Sequence, residues 1–265
     1  MKALWKGYIV LGQLGIPVRL YSATQKSGVT FVQLHEKDSS PVERPLFCKE
    51  EHKEISSSEV IRGVEYEPGK FISFTEQELE HTSRPELKAI TIRQFCEPNQ
   101  IPPSYYEKPY YLTPTAGGER GYALVREGLL RSNAVAIGQY HLYGSNHIGA
   151  INAVEDILVL HQLRFTNELI PRSSLKTPAL ARPSPAEIDM MRSVIDRYSG
   201  PLHLNDYHDE YTEYVSLLAE RKIKGLPLPR QEQTPAHATP DNKIQDALAN
   251  TLRQNNTIQE GDRDV

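Results

Sequence analysis

The sequence predicts a mainly β protein, built as a barrel or sandwich and followed by a helical C-terminal arm. Up to about residue 170, short runs rich in β-branched and aromatic residues alternate with Pro and Gly turn signals, as is typical of such folds. Beyond residue 172, prolines bound two amphipathic helical segments, and from residue 230 apolar side chains become few. We therefore expect a β core at 1–172, a helical arm at 173–229 and a disordered acidic tail at 230–265.

The strands of the β region are predicted from these short runs. The first covers residues 5–11, and further runs follow at 29–34, 71–74, 90–92, 110–112, 134–142 and 157–163. The polar segment 143–156 is predicted to connect the last two. Two helices are predicted within this region, one capped by Thr75 with Glu78 at the capping-box position and one over 121–130.

The arm is predicted from helix start and stop signals. Ser184 with Glu187 gives the pattern of a capping box, and Pro185 suits the first helical position, so a helix should run to about Tyr198. A second helix should span about 206–223. Its predicted apolar side has Tyr207, Tyr211, Tyr214 and Leu218. Because two such helices cannot bury both faces on themselves, they need the barrel or another subunit. We expect these four residues to form the dimer or partner surface. In the tail, 241–254 could form a transient helix that docks on a partner.

Positive charge is concentrated at the N-terminus, although the whole chain has a net charge of −4. The first thirty-five residues include Lys2, Lys6, Arg19 and Lys26 and no carboxylate before Glu36. Residues 230–265, in contrast, have a net charge of −2. A basic surface on a rigid β scaffold is suited to binding a polyanion such as nucleic acid.

Composition predicts a cytoplasmic protein. The sequence has no run of eighteen apolar residues that would span a membrane, and its N-terminus lacks the pattern of a secretory signal. With only two cysteines, Cys48 and Cys96, a disulfide framework is not expected, and a reducing compartment is the default.

Catalytic motifs are not recognisable in the sequence. The glycines of 116–121 precede a helix but lack the Gly-Lys-Ser/Thr ending of a phosphate-binding loop, and no Gly-x-Ser-x-Gly elbow occurs. The spacing of Cys96 and His161 does not support a catalytic pair. Cys48 with His35 and His52 would give at most a mixed Cys/His zinc site. We predict no enzymatic activity, no cofactor and no metal.

Several short strings, each occurring once, follow one another along residues 1–225. They are Trp5-Lys6-Gly7, Ile16-Pro17-Val18-Arg19-Leu20-Tyr21-Ser22-Ala23-Thr24, Gln33-Leu34-His35, Arg62-Gly63-Val64-Glu65-Tyr66-Glu67, Phe74-Thr75-Glu76-Gln77-Glu78-Leu79, Lys108-Pro109-Tyr110-Tyr111-Leu112-Thr113-Pro114, and Gly118-Glu119 leading into Tyr122-Ala123-Leu124-Val125-Arg126-Glu127. In the arm, Tyr207, Asp209, Tyr211 and Lys222-Ile223-Lys224-Gly225 continue the series. Together these strings resemble the bacterial Ku family.

The resemblance implies a Ku-type fold: a β-barrel core, an inserted bridge at roughly 36–90, and a helical C-terminal arm. It also implies a homodimeric ring that threads onto double-stranded DNA ends. In non-homologous end joining such a ring protects double-strand breaks and recruits an ATP-dependent multidomain DNA ligase. We expect the protein to be nucleoid-associated.

A ring that holds DNA of any sequence should contact phosphates and sugars. By position we expect these contacts from the following basic residues of barrel and bridge: Lys6, Arg19, Lys26, Lys37, Arg44, Lys49, Lys53, Arg62 and Lys70. With ~6–10 phosphates neutralised, affinity should fall ~10³–10⁵-fold between 50 and 200 mM salt.

The sequence departs from the family pattern at three places that bear on DNA binding. The turn at 143–147 lacks the Arg that relatives typically have there, and the bridge has Cys48 with Glu51 where many relatives have a Cys-x-x-Cys pair. The tail is acidic where many relatives have a Lys-rich one. Binding should therefore depend on threading and be intolerant of blocked ends. The alternative is a β-barrel scaffold that binds protein partners and has lost DNA binding.

Overall fold

Alternating apolar and polar side chains build the wall of a closed barrel in this computed structural model, which describes residues 1–75, 77–78, 88–229 and 238–254. The strands among these residues are β1 (Trp5–Leu11), β2 (Leu14–Ser22), β3 (Phe47–Cys48), β4 (Lys53–Glu54), β5 (Arg62–Glu67), β6 (Lys70–Phe74), β7 (Ala89–Cys96), β8 (Tyr106–Pro114), β9 (Val135–Leu142), β10 (Ser145–Val154) and β11 (Ile157–Leu163). Around the barrel the order is β1-β2-β8-β11-β10-β9-β7. The parallel pairing of β7 with β1 closes it; the other neighbours are antiparallel. The predicted β-barrel is confirmed.

The barrel core is formed by every second residue of the strands. Fully buried side chains include Ile9, Leu20, Leu112 and Leu158. Helix α1 (Glu119–Ser132) packs Tyr122 and Leu129 into the same core, and Asn133 ends the helix in the left-handed conformation. The helix predicted over 121–130 is therefore confirmed, extended by two residues at each end.

The Tyr122 hydroxyl links α1 to the barrel wall. It donates a hydrogen bond to the Leu112 carbonyl at 2.7 Å and accepts one from the Leu158 N–H at 2.7 Å. Leu112 and Leu158 face each other across β8 and β11, so the phenol is inserted between two paired strands. Burial raises the pKa of Tyr122, which keeps its hydroxyl protonated and able to donate.

Two small hairpins form the bridge between β2 and β7. β3 pairs with β4, and β5 pairs with β6 around a turn in which Gly69 has a φ of +77°. All side chains of β5 and β6 are exposed except that of Phe74, which is half-buried. The exposed side chains include Val64 and Phe71. A two-stranded hairpin without a buried face is only marginally stable alone.

Residues 28–31 and the described residues from 176 onward form a second compact unit, and the described residues of 1–27 and 32–175 form the barrel unit. Its helices are α2 (Pro185–Tyr198), α3 (Glu210–Ile223) and α4 (Ile244–Gln254). Ser184 caps α2 in a capping box with Glu187, so the predicted start and end of this helix are confirmed. Helix α4 packs against α2, and the Arg197 guanidinium donates to the Leu252 carbonyl.

The helix predicted over 241–254 is present, so this part of the tail is not disordered. Residues 241–243 form a 3-10 turn that leads into α4. Ile244 and Leu248 of α4 and Ile188 of α2 line one apolar pocket, and this supplies the tertiary packing that a helix of eleven residues needs. Residues 230–237 and 255–265 of the tail lie outside the described residues.

Three sequence predictions need correction. The run 29–34 forms no strand, although all six of its residues are described, and its only β pairing is the isolated bridge between Leu34 and Pro41. The segment 143–156, predicted as a connection, contains strand β10, because positive φ angles at Tyr143 and Gly144 allow a tight hairpin turn. The second arm helix begins only at Glu210, where Asp209 caps it, so Tyr207 precedes the helix.

The helix predicted after Thr75 lies mostly outside the described residues, although Thr75 and Glu78 do form the expected capping hydrogen bonds.

Gly7 is required by close packing in the Trp-Lys-Gly string. A Cβ at this position would overlap the Trp5 ring and the Lys88 carbonyl oxygen, to which the Tyr8 N–H donates. We expect Gly7→Ala to lower the free energy of unfolding by about 1–3 kcal/mol, measured by urea denaturation. Gly15→Ala on β2 is the matched control, because a Cβ there has no atom within 4 Å. Equal effects of both changes would contradict the packing argument.

Candidate nucleic-acid interface

The outer face of β1 and β2 brings two of the predicted DNA contacts together. Lys6 and Arg19 are directly opposite each other in the antiparallel pairing, and Arg19 is in turn opposite Thr113 on β8. Side chains at such positions have their Cβ atoms about 4.5–5.5 Å apart. Both cations are exposed, while Ile9, Val18 and Leu20 point into the core. A three-strand row of polar side chains therefore lies on a rigid wall.

Neither cation of this row is neutralised within the part of the chain that the structure describes. The ion pairs and side-chain hydrogen bonds among those residues do not include Lys6 or Arg19. The sequence adds no carboxylate before Glu36. Both side chains are thus available to an external anion.

Two of the predicted bridge contacts are already paired. Lys53 contacts Glu51 at 2.5 Å, and Lys70 contacts Glu67 at 2.6 Å. Arg44 donates to the Gln33 side-chain oxygen at 2.8 Å. Residues 36–75 have nine carboxylates and six basic side chains, a net charge of −3. The bridge is therefore net negative, in contrast to the Lys6–Arg19 row, which contains two cations and no carboxylate.

The remaining predicted cations are exposed but dispersed. Lys26 follows β2, Lys37 lies in the turn stabilised by His35 and Asp38, Lys49 follows β3, and Arg62 begins β5 opposite Phe74. None of them has an ion-pair partner among the described residues. Of the nine predicted DNA contacts, only Lys6 and Arg19 are adjacent in the pairing of the strands.

The turn between β9 and β10 uses its polar groups internally. The His141 ring nitrogen Nδ1 is 3.1 Å from the Asn146 side-chain oxygen, and His147 Nε2 is 3.2 Å from the Leu142 carbonyl. The His147 ring also contacts that of Tyr140. These histidines and Asn146 therefore stabilise the hairpin.

The predicted partner residues of the arm differ in their surroundings. Tyr207 and Tyr211 are 75% and 66% exposed, whereas Tyr214 and Leu218 are half-buried on α3. The Tyr214 hydroxyl donates to the Pro229 carbonyl at 3.0 Å, so this ring holds the segment after the helix. Tyr207 and Tyr211 have the larger surface available to a partner.

Two aromatic side chains beside the cations were not predicted from the sequence. Tyr8 lies two residues after Lys6 on β1. Tyr111 lies on β8, opposite Tyr21 of β2. They are 52% and 39% exposed. The period of two along each strand was the signal that could have identified them, because it places Tyr8 on the same face as Lys6.

The cysteine and histidine candidates do not converge on a reactive centre or metal site in the described ranges. Burial raises the pKa of Cys96 and lowers that of His161, which favours a thiol and a neutral imidazole near pH 7. No three metal-ligating side chains meet among the residues with described positions. In the same part of the chain, no helix is long and apolar enough to cross a membrane.

The family model and the relatives that match this chain all point to one family. A family model described as the Ku70/Ku80 beta-barrel domain matches residues 10–190. The chain is 32% identical over 222 residues to a protein of Solibacter usitatus named non-homologous end joining protein Ku, covering 84% of this chain and 83% of the relative. It is also 32% identical over 228 residues to a protein of the same name from Archaeoglobus fulgidus, covering 85% and 89% of the two chains.

Proposed function

The chain belongs to the Ku family, and on that premise we propose that it is a homodimer that binds double-stranded DNA ends independently of sequence. In this role it protects broken ends and recruits an ATP-dependent multidomain DNA ligase in non-homologous end joining. The observation that carries the proposal is the exposed Lys6–Arg19 pair on the barrel wall, which has no carboxylate partner in the described chain.

Sequence-independent binding follows from the chemistry of this pair. Lys and Arg contact phosphates, which are the same in every duplex. The closed sheet fixes the spacing of the two side chains, and the net charge of −4 means that bulk charge does not drive association. Binding then depends on where the cations lie.

The exposed bridge supports the dimer. The β5–β6 hairpin leaves Val64, Tyr66, Phe71 and Ile72 each more than half exposed. Such a hairpin gains stability when another surface covers it. In a two-fold assembly the second subunit would supply that surface.

Binding to linear but not closed circular duplex is the expected result that tests end recognition. Circles and linear fragments of equal length and sequence are compared by mobility shift in about 0.1 M salt. A linear fragment with bulky groups on both ends serves as the control, because a ring that must thread should fail to load on it. Equal binding to linear and circular DNA, or binding to neither, would overturn the proposal.

The arm is expected to contribute to dimerisation. Tyr211→Asp places a charge on the exposed side of α3 and should convert the dimer to monomer, measured by sedimentation equilibrium. Tyr143→Asp is the matched control, because this tyrosine is 72% exposed in the β9–β10 turn and lies outside the arm. A Tyr211→Asp protein that remains dimeric would contradict the role of α3.

One observation favours the alternative of a protein-binding scaffold. An apolar cavity of about 420 Å³ lies between α1 and the barrel and is lined by Leu11, Leu14, Phe95 and Leu124, among others. Such a groove suits an amphipathic peptide. If the protein binds neither linear nor circular DNA, the scaffold function is the one that remains.

A further inference from the structure

We propose that the outer face of β1, β2 and β8 holds the unpaired nucleotides of a DNA overhang, with phosphates on Lys6 and Arg19 and bases stacked on Tyr8 and Tyr111. This inference rests on the proposed function, because it assumes that the protein binds DNA ends. It adds a class of end, one with a single-stranded extension.

The strand register sets the arrangement of these four side chains. The Lys6–Arg19 row is flanked on one side by Tyr8, opposite Pro17, and on the other by Tyr111, opposite Tyr21. Residues two apart on a strand are about 7 Å apart, so each aromatic row lies about 7 Å from the cations. Cations therefore lie between two aromatic positions on one face.

Tyr8 and Tyr111 are exposed, whereas apolar residues next to them in the chain are buried. Tyr110 and Leu112, the neighbours of Tyr111, are 3% and 0% exposed, and Ile9 next to Tyr8 is 1% exposed. The two tyrosine rings thus project from the wall, while the residues beside them form the core. Neither phenol donates or accepts a side-chain hydrogen bond in the part of the chain with described positions. Neither ring has an aromatic or cation–π contact among those residues, so the exposed part of each ring is available for stacking.

The positive charge of this face favours an anionic ligand. The three rows comprise Ala89, Tyr8 and Pro17; Lys6, Arg19 and Thr113; and Tyr21, Tyr111 and Val159. Two of these residues are cationic and none is acidic. A second copy of this acidic chain or an acidic peptide would match the cations but would make no use of two flat aromatic faces.

The aromatic rings distinguish single strands from duplex. Bases inside a duplex are stacked on each other and cannot stack on a protein ring, whereas unpaired bases can do so irrespective of sequence. Binding surfaces for single strands combine cations that follow the backbone with aromatic side chains that receive successive bases. The β1–β2–β8 face has both components.

Fluorescence anisotropy with labelled duplexes of equal paired length tests the inference. One duplex is blunt, and the others have a 3′ or a 5′ extension of about six thymidines, a length within the usual site size for single strands. Wild-type protein should bind an extended duplex more tightly than the blunt one. Tyr8→Ala/Tyr111→Ala should lose that preference, about tenfold for each base that no longer stacks, and bind the blunt duplex as wild type does.

Three variants control for other causes. Tyr8→Phe/Tyr111→Phe keeps both rings and should keep the preference. Tyr143→Ala removes an exposed tyrosine elsewhere on the barrel and should also keep it. If the double alanine variant is unstable by thermal unfolding, the single Tyr8→Ala, at the more exposed of the two positions, should lose about tenfold of the preference.

The outcomes separate this inference from the proposed function. If wild type binds blunt and extended ends equally, or the alanine variant weakens both equally, the overhang site is overturned while end binding stands. If the alanine variant instead dissociates to monomer in sedimentation, the face is a subunit interface and the inference is overturned. If wild type binds no linear DNA, both proposals fail.

Discussion

Lys6→Ala/Arg19→Ala is expected to weaken binding to a blunt linear duplex about 100-fold at about 0.1 M salt. Each neutralised phosphate releases condensed counterions, and at this salt concentration one such phosphate contributes roughly tenfold to the association constant. The slope of log K against log salt concentration should also decrease in magnitude by about 1.8, or about 0.9 for each phosphate that the variant no longer neutralises. Titrations at several salt concentrations measure both quantities.

Lys53→Ala/Lys70→Ala is the matched control, because it changes the net charge by the same amount. These two lysines already contact Glu51 and Glu67, and their replacement should change affinity no more than about threefold. If both double variants weaken binding equally, net charge and not the position of the cations governs affinity. That result would contradict the assignment of the barrel wall as the main phosphate-binding surface.

Tyr122→Phe is expected to lower the free energy of unfolding by about 2–4 kcal/mol. The change removes one hydroxyl and leaves the Leu112 carbonyl and the Leu158 N–H without their partner inside the barrel. A buried polar group that loses its hydrogen bond costs about 1–3 kcal/mol. Urea denaturation followed by circular dichroism measures the difference.

Tyr8→Phe provides the comparison for this variant. It removes a hydroxyl from a tyrosine that is 52% exposed, so its effect is that of a surface substitution and stability should change by less than about 0.5 kcal/mol. If Tyr122→Phe were equally mild, Leu112 and Leu158 must hydrogen-bond directly across the strands once the hydroxyl is gone. The phenol would then not be a structural link.

The regular parts of this fold could be predicted from local sequence. Strands such as β9 and β11 are apolar runs bounded by turn signals. The capping box of Ser184 and Glu187 indicated the residue at which α2 begins. Strand β10 could not be found in this way, because His147, Asn152 and the flanking turn residues make its sequence polar. It forms local hairpins with both β9 and β11 through the short turns at 143–144 and 155–156, and these turns were missed because the whole segment 143–156 was interpreted as one connection.

The candidate site was predictable in composition but not in arrangement. The absence of carboxylates before Glu36 identified the N-terminal region as basic. It could not show that Lys6 faces Arg19, since that depends on the register of the β1–β2 hairpin. Nor could it show that Lys53 and Lys70 pair with neighbouring carboxylates, because ion pairs depend on side-chain geometry. Tyr8 shares the face of Lys6 through the alternation along β1, a signal that the sequence analysis did not use, whereas Tyr111 is far away in the chain and joins this face only when β2 pairs with β8.

The closure of the barrel by β1 and β7 has a consequence for how the bridge can vary. Between Ser22 and Ala89 the chain makes a 66-residue excursion before it returns to pair with the first strand. The entropy of closing such a loop grows only logarithmically, so doubling its length would cost the barrel about 0.6 kcal/mol. The excursion can therefore be lengthened, shortened or replaced with little penalty to the stability of the barrel.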